Sequence, residues 1–171
     1  MFIDPWCGDP VGYEDDPFNR NNSRNLKNTS RETYNCAGYA LGTFSWYLPI
    51  PNEDDPCEYN WGSEEEIERN ALSFMFVRQI LRDFHDIRLI PAIECVRHDE
   101  YAIAFRVGND DFHFIKQGKN GIWYEKRGGL PTIFRMTERE VFNTEWNRGR
   151  YNGPIFLFAK RCNTMLLADD E

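Results

Sequence analysis

The stretch YAIAFRVGNDDFHFIKQGKNGIWYEK, residues 101–126, decides the fold, because apolar side chains recur in it at every second position. This alternation is typical of β-strands with one buried face. It predicts strands over residues 101–107, 112–117 and 122–126, and the Gly/Asn-rich segment between the last two is typical of a hairpin turn. The stretch therefore predicts consecutive antiparallel strands.

Helices are predicted mainly before this stretch. A short, buried helix is expected over residues 37–48. A longer helix is expected to begin at Ser63, whose spacing from Glu66 forms a capping box, and to end near Phe84. A further helix of one or two turns is expected after Thr137, which is spaced in the same way from a glutamate.

Two more strands are predicted, over residues 88–95 and 155–161, from the same alternation. Because the longer helices precede the strands, we expect an α+β fold in which N-terminal helices pack on an antiparallel sheet of about five strands.

The chain of 171 residues is the size of one domain. Residues 1–33 carry no sustained apolar period, so we expect an irregular N-terminal arm that packs on the domain. The domain itself is expected over residues 34–165, and residues 166–171 form an acidic tail.

The charge and hydropathy of the chain exclude some partners. A net charge of −8 argues against nucleic acid as the main partner. Basic side chains concentrate in residues 113–161, where they either attract an anionic partner or are solvated charges of strands and loops. No apolar stretch reaches the ~18 residues needed to span a bilayer, so no membrane span is expected. The first residues lack the order of a secretion signal, so we expect a protein that is cytoplasmic as synthesised, with delivery by a phage or a secretion system as its way out.

The cysteines do not suggest a disulfide framework. There are five, an odd number, and no two form a C-x-x-C pair, which argues against a disulfide framework and a structural zinc site. We expect most of the thiols to be reduced, and we expect no metal and no cofactor. The common role of such a cysteine is that of a small buried hydrophobic residue.

Cys36 lies in a segment that suits a nucleophile. It follows Asn35 and precedes Ala37 and Gly38, at the start of the short predicted helix. Free N–H groups and the helix dipole favour a thiolate at that position and can hold an oxyanion. Small residues beside a cysteine are also common in core helices, so a merely buried Cys36 is the alternative.

His113 is the best candidate for a base among the three histidines. It interrupts an apolar strand and points to the face opposite Phe112 and Phe114. Glu125 can orient its imidazole as the third member of a triad, if the hairpin register places both side chains on one face. A two-residue turn at residues 120–121 places Glu125 on the other face, whereas a three- or five-residue loop places it on the face of His113.

Two motifs carry a resemblance to a known family. The segment from Asn35 to Leu41, Asn-Cys-x-x-Tyr-Ala-Leu, and the segment from Asp111 to Lys126, Asp-x-His-Phe followed by Gly-x-Trp and Lys, resemble small papain-like cysteine hydrolases of the NlpC type from bacteria and phages. The resemblance implies a cysteine peptidase or amidase in which Cys36 is the nucleophile and His113 the general base.

The resemblance also implies the substrate and the neighbouring groups. It suggests Tyr34 and Asn35 as supplements to an oxyanion hole, although a packed ring and a helix cap are equally good interpretations. The substrate is expected to be a peptide or protein amide, either a cell-wall peptide or a host protein. The alternative is a non-catalytic binding or assembly module with the same fold.

Overall fold

The structure, a computed structural model, describes residues 2–3, 34–43, 45–49, 64–108, 111–118, 121–128, 130, 133–143, 146–147, 149–162 and 164–165. The helices there are α1 (Cys36–Leu41), α2 (Glu64–Asp83) and α3 (Glu138–Asn143). The strands are β1 (Phe2–Ile3), β2 (Ile87–Ile90), β3 (Glu100–Val107), β4 (Phe112–Gln117), β5 (Trp123–Lys126), β6 (Ile133–Met136), β7 (Phe156–Arg161) and β8 (Thr164–Met165).

Six of these strands form one antiparallel sheet in the order β2-β7-β3-β4-β5-β6, and β1 pairs with β8 in a small separate sheet. The predicted fold class is therefore wrong. The main sheet has six strands, because Ile133–Met136, which was not predicted as a strand, pairs along the full length of β5. Helices are few, and the third follows β6, so they are not confined to the N-terminal part of the chain. The papain-like, NlpC-type assignment of the fold falls with that prediction.

Three apolar clusters form the core in the described part of the chain, and the smallest contains Tyr34, Tyr39, Tyr124 and Ile133. The first joins residues of α1 and α2, among them Leu41, Val77 and Ile80, to strand residues such as Phe105 and Phe114. The second joins Val141 of α3 to Ala102, Ala104, Ile115 and Trp123. Side chains alternate between the faces of a strand, so Phe114 and Ile115 assign the first and second clusters to opposite faces of the sheet.

Several element ends differ from the predicted ones for local reasons. Helix α1 ends at Leu41 and not at residue 48, because Gly42 adopts a left-handed conformation (φ 73°) and its N–H donates to the C=O of Tyr39. Strand β2 ends at Ile90, before Pro91, and a 3₁₀ turn over Ile93–Cys95 replaces the rest of the predicted strand. The predicted cap Ser63 lies outside the described residues.

Helix α3 confirms the short helix expected after Thr137. The Thr137 hydroxyl oxygen accepts from the N–H of Glu140, and the Glu140 carboxylate accepts from the N–H of Thr137. This reciprocal pair is a capping box.

The β4–β5 hairpin has the register that places His113 and Glu125 on one face. Lys116 pairs with Tyr124 and Gln117 with Trp123, and the N–H of Gly118 donates to the C=O of Ile122. The loop therefore contains three residues, and Gly121 closes it with φ 86°. The pairing of a two-residue turn is not adopted.

The described helices include none that is long and apolar enough to cross a bilayer. Cys162 is disulfide-bonded, whereas Cys36 and Cys95 are free thiols. Cys162 is thus an exception to the expectation that most cysteines are reduced.

Candidate active site

Asn35 fixes the start of helix α1. Its Oδ1 accepts from the N–H groups of Gly38 (3.0 Å) and Tyr47 (3.2 Å), and its Nδ2 donates to the C=O of Tyr47 (2.7 Å). One side chain thus caps the helix and holds the segment that follows it. Gly38 is required there, because a Cβ at this position would lie 1.9 Å from the C=O oxygen of Ser45.

Cys36 is the first residue of α1, and it meets His113. The thiol lies close enough to the imidazole to act on its pKa, and each residue is only 5% exposed. Nε2 of His113 lies 2.8 Å from Oε2 of Glu125, which leaves Nδ1 as the ring nitrogen that Glu125 does not engage. The structure therefore brings together the residues predicted as nucleophile, base and orienting group.

Strands β4 and β5 are paired over only a short length. Cys36 meets His113 beyond the end of this pairing. Among the described residues the two strands pair only at Lys116–Tyr124 and Gln117–Trp123, whereas β4 pairs with β3 up to Phe112. Helix α1 contacts both strands. Cys36, the first residue of α1, consequently reaches the imidazole beside the part of β4 that does not pair with β5.

A second cation holds the far side of Glu125. Nε and Nη2 of Arg127 donate to Oε1 of Glu125 at 3.1 and 3.0 Å, which leaves Oε2 for His113. The guanidinium of Arg127 also lies over the ring of Phe134, 4.5 Å from its centroid. Arg127 therefore fixes which carboxylate oxygen faces the imidazole. Sequence reasoning missed this residue, although its place two positions after Glu125 on the same face could have suggested it.

Burial and the interactions with neighbouring groups shift the pKa values of His113 and Glu125 in opposite directions. Burial alone lowers the pKa of His113, but the hydrogen bonds and charges of Cys36 and Glu125 raise it to about 9. Burial raises the pKa of Glu125, but His113 and Arg127 together hold it below its usual value. The favoured state thus has a charged imidazolium beside an ionised carboxylate.

Aromatic rings hold the imidazole from two further directions. The ring of Tyr151 stacks on His113 (centroids 5.3 Å apart, interplanar angle 22°), and Trp146 contacts it edge-on at 6.0 Å. Nε1 of Trp146 donates to the C=O of Val141, and the Tyr151 hydroxyl bonds to Asp111, so both rings are themselves anchored. The sequence carried no local signal for these two residues, because the segment that holds them is brought to β4 only by the tertiary fold.

Tyr34 is not part of the site. Its C=O accepts from Nζ of Lys126, its ring lies 4.8 Å from the same nitrogen, and it packs with Tyr39 and Tyr124 away from the cavity beside Cys36. Asn35 borders that cavity, but its side chain is engaged in the cap. The structure therefore supports the helix-cap and packed-ring interpretations of Asn35 and Tyr34 over oxyanion roles.

The sequence offers Asn109, Asp111 and Asn120 as fallback groups to orient His113, and in the structure Glu125 is bonded to the imidazole. Asp111 bonds to Arg150 (2.8 Å) and to Tyr151 (3.1 Å), and Asn109 and Asn120 lie outside the described residues. No group of three or more His, Cys, Asp or Glu side chains in the described part of the chain is placed to hold a metal ion.

A cavity of about 630 Å³ opens onto Cys36 and His113. Its wall carries arginines and carboxylates in equal number, together with aromatic and aliphatic side chains. They are Arg127, Arg135, Arg150, Asp111, Glu125, Glu140, Trp46, Leu48, Phe112, Leu130, Phe134, Met136, Trp146 and Tyr151. Cys36 and His113 therefore lie at the wall of a space large enough for several residues of a peptide.

Asn35→Ala should destabilise the protein by about 1–3 kcal/mol, because it removes a helix cap and leaves buried polar backbone atoms of Tyr47 without partners. Urea unfolding measures this change. Asn35→Asp keeps the acceptor of the cap and loses the Nδ2 donor, so it should lie between the wild type and Asn35→Ala. Equal stability of Asn35→Ala and the wild type would show that the clamp is unimportant.

No protein-family model, curated protein or solved structure matches the chain. The resemblance to NlpC-type hydrolases thus stays a prediction from two short motifs.

Proposed function

We propose that this protein is a cysteine-dependent hydrolase of amide or peptide bonds. The observation that carries the proposal is the juxtaposition of Cys36 with His113, which is itself hydrogen-bonded to Glu125, at the wall of an open cavity. A thiol beside an imidazole that is itself oriented by a carboxylate is the arrangement used for nucleophilic catalysis of acyl transfer.

The proposed reaction has two stages. The Cys36 thiol gives its proton to His113, its sulfur attacks the amide carbonyl carbon, and the carbonyl oxygen takes the negative charge of the tetrahedral intermediate. The C–N bond breaks as His113 gives this proton to the leaving amine, and a thioester remains on Cys36. His113 then takes a proton from water as the water oxygen attacks the thioester. The C–S bond of this second intermediate breaks, the acid is released, and His113 returns the proton to the sulfur of Cys36.

Glu125 and Arg127 support the proton transfers without touching the substrate. Glu125 holds the imidazole by Nε2, which leaves Nδ1 for Cys36, and it stabilises the charged form of the ring. Since the side chain of Asn35 is engaged and accepts from the N–H of Gly38, the N–H groups of Cys36 and Ala37 at the start of α1 are the donors that we assign to the oxyanion.

Two substrate classes follow from the motifs. A peptide of the bacterial cell wall fits the resemblance to NlpC-type hydrolases, and a host protein is the second candidate, for a protein delivered by a phage or a secretion system. In both cases the reacting group is an amide, which the site chemistry addresses directly.

Thiol alkylation tests the proposal, and the chain holds its own control. Cys95 is a free, exposed thiol, whereas Cys36 is free and buried. If Cys36 is an activated nucleophile, iodoacetamide should modify it faster than Cys95 near neutral pH despite its burial, as peptide mass spectrometry of timed samples would show. His113→Gln should remove this excess and leave Cys95 unchanged. Slower alkylation of Cys36 than of Cys95 in the wild type would favour a non-catalytic binding module in which Cys36 is a core residue.

A further inference from the structure

Large apolar side chains that face solvent are concentrated at the cavity. Among the described residues, the three most exposed are Leu130 (60%), Trp46 (53%) and Leu48 (48%), and all three line the cavity that holds Cys36 and His113. Met75 (40%) and Leu89 (38%) are the other two exposed large hydrophobic residues, and neither lines it. Exposed apolar surface that gathers at one place marks a binding site more often than surface that is scattered.

The position of Trp46 and Leu48 is tied to the nucleophile. Both flank Tyr47, whose N–H and C=O are bonded to Asn35, the residue before Cys36. The Tyr47 side chain is held elsewhere, because its hydroxyl donates to Asp83 and its ring packs edge-on against Phe84. The two neighbours of Tyr47 are therefore held at a fixed place relative to Cys36.

Leu130 reaches the same cavity from the other end of the site. Its N–H donates to the C=O of Arg127 (2.9 Å), which closes a turn directly after the residue that holds Glu125. The apolar side chains thus belong to the two segments that carry the nucleophile and the orienting carboxylate.

The charges of the cavity do not select a charged substrate. Arg127 pairs with Glu125 at 3.0 Å, and Arg150 pairs with Asp111 at 2.8 Å. The remaining lining charges, Arg135 and Glu140, are opposite in sign. With three arginines against three carboxylates, two of these pairs closed and His113 held by Glu125, apolar contact is the main source of selectivity that the cavity offers.

We infer that Trp46, Leu48 and Leu130 form a subsite for a bulky apolar side chain of a peptide substrate. This side chain belongs to the first or the second residue on the acyl side of the scissile amide. This inference rests on the proposed function, since it names the substrate class of the same site. The occupant is a peptide because the subsite is continuous with a nucleophile, and an amide bond must lie at Cys36 while the side chain lies on the apolar residues.

Peptidyl chloromethyl ketones test the subsite without knowledge of the natural substrate. The sulfur of Cys36 displaces chloride from the chloromethyl carbon and forms a stable thioether. Each reagent is a dipeptidyl chloromethyl ketone with Ala at one position and either Phe or Glu at the other. The Phe and Glu reagents are compared at each of the two positions. Every rate of Cys36 modification is divided by the rate of the same variant with iodoacetamide, which is too small to use the subsite.

In the wild type, one of the Phe reagents should react about ten-fold or more faster than its Glu counterpart, as expected for burial of an aromatic side chain. Trp46→Ser, Leu48→Ser and Leu130→Ser should each lower this ratio, Trp46→Ser at least about three-fold. Met75→Ser and Leu89→Ser are the matched controls, because they remove exposed apolar side chains outside the cavity, and they should keep the wild-type ratio.

Equal rates for the Phe and Glu reagents in the wild type, or an equal loss in the two control variants, would overturn the inference. A preference for Cys95 over Cys36 by iodoacetamide would overturn the proposed function and the subsite with it, so the two failures differ. Sedimentation supplies the last arm: a wild-type dimer that Trp46→Ser converts to a monomer would show that these side chains join two copies of the chain, and the subsite would be wrong.

Discussion

Cys36→Ala should abolish amide hydrolysis, with a loss of about four orders of magnitude or more relative to the wild type. Alanine removes the only group that forms the thioester, and the imidazole of His113 is then left without a nucleophile to activate. Release of free amines from a mixed peptide digest gives the activity. Intact-mass analysis after brief acid quenching shows whether an acyl group is attached to the wild-type protein and absent from the variant.

Two further variants give this result its meaning. Cys95→Ala removes the other free thiol among the described residues, which is exposed and does not line the cavity, and it should leave hydrolysis intact. Cys36→Ser keeps the size of the side chain and should be almost as inactive as alanine, because a hydroxyl ionises far less readily than a thiol. Hydrolysis that survives in Cys36→Ala would show that the activity belongs to another group.

Glu125→Gln should lower the rate of hydrolysis by about two to four orders of magnitude. Glutamine keeps the size of the side chain, but it removes the negative charge that stabilises the imidazolium and engages Nε2 of His113. Glu125 is buried, not at an exposed edge. The variant should therefore also lose about 1–3 kcal/mol of stability, measured by urea unfolding, which is less than the corresponding kinetic effect.

The pH dependence of the same variant has a definite sign. The pKa of His113 is raised to about 9 in the wild type, and the charge of Glu125 is one of the causes. Because this value is above the unfolded value of about 6.5, protonation of His113 contributes stability that is complete below about pH 6.5 and is lost as the pH rises through about 9. In Glu125→Gln burial still lowers the pKa, so the titration of the His113 Cε1 proton in NMR spectra should move to lower pH.

Arg127→Gln is the matched control for Glu125→Gln. It removes the cation behind the carboxylate and leaves the hydrogen bond between Glu125 and His113 possible, so the rate should fall by a smaller factor, on the order of ten-fold. An imidazole that titrates as in the wild type when Glu125 is replaced would show that Glu125 does not control His113.

The strands nearest the site could be predicted because one physical signal dominates there. Strand β4 lies at the expected residues, Phe112–Gln117, since its alternation of apolar side chains is regular and uninterrupted except by His113. The sequence leaves two alternatives open for the pairing of the β4–β5 hairpin, one for a two-residue loop and one for a loop of three or five residues. The three-residue turn between Gly118 and Ile122 selects the register that places His113 and Glu125 on one face. Sequence pattern limits such alternatives, while the conformation of one loop decides between them.

Other parts depend on contacts between distant segments and could not be predicted. Strand β6 has four residues and only Ile133 is buried, so its pairing with β5 carries little local signal. Trp146 and Tyr151 contact His113 only because the fold returns the chain to β4. Helix α1 was predicted too long because the left-handed conformation of Gly42 outweighed the apolar run that follows it.

The bond from Lys126 to the C=O of Tyr34 joins segments 92 residues apart, and it has a consequence for the order in which the chain is made. A ribosome delivers Cys36 early, and the base, the orienting carboxylate and the lysine that anchors the segment before α1 emerge only much later. Until then the nascent chain contains an ordinary thiol with no proton acceptor beside it. In the proposed mechanism Cys36 is thus activated only after β4 and β5 have left the exit tunnel and His113 can meet it.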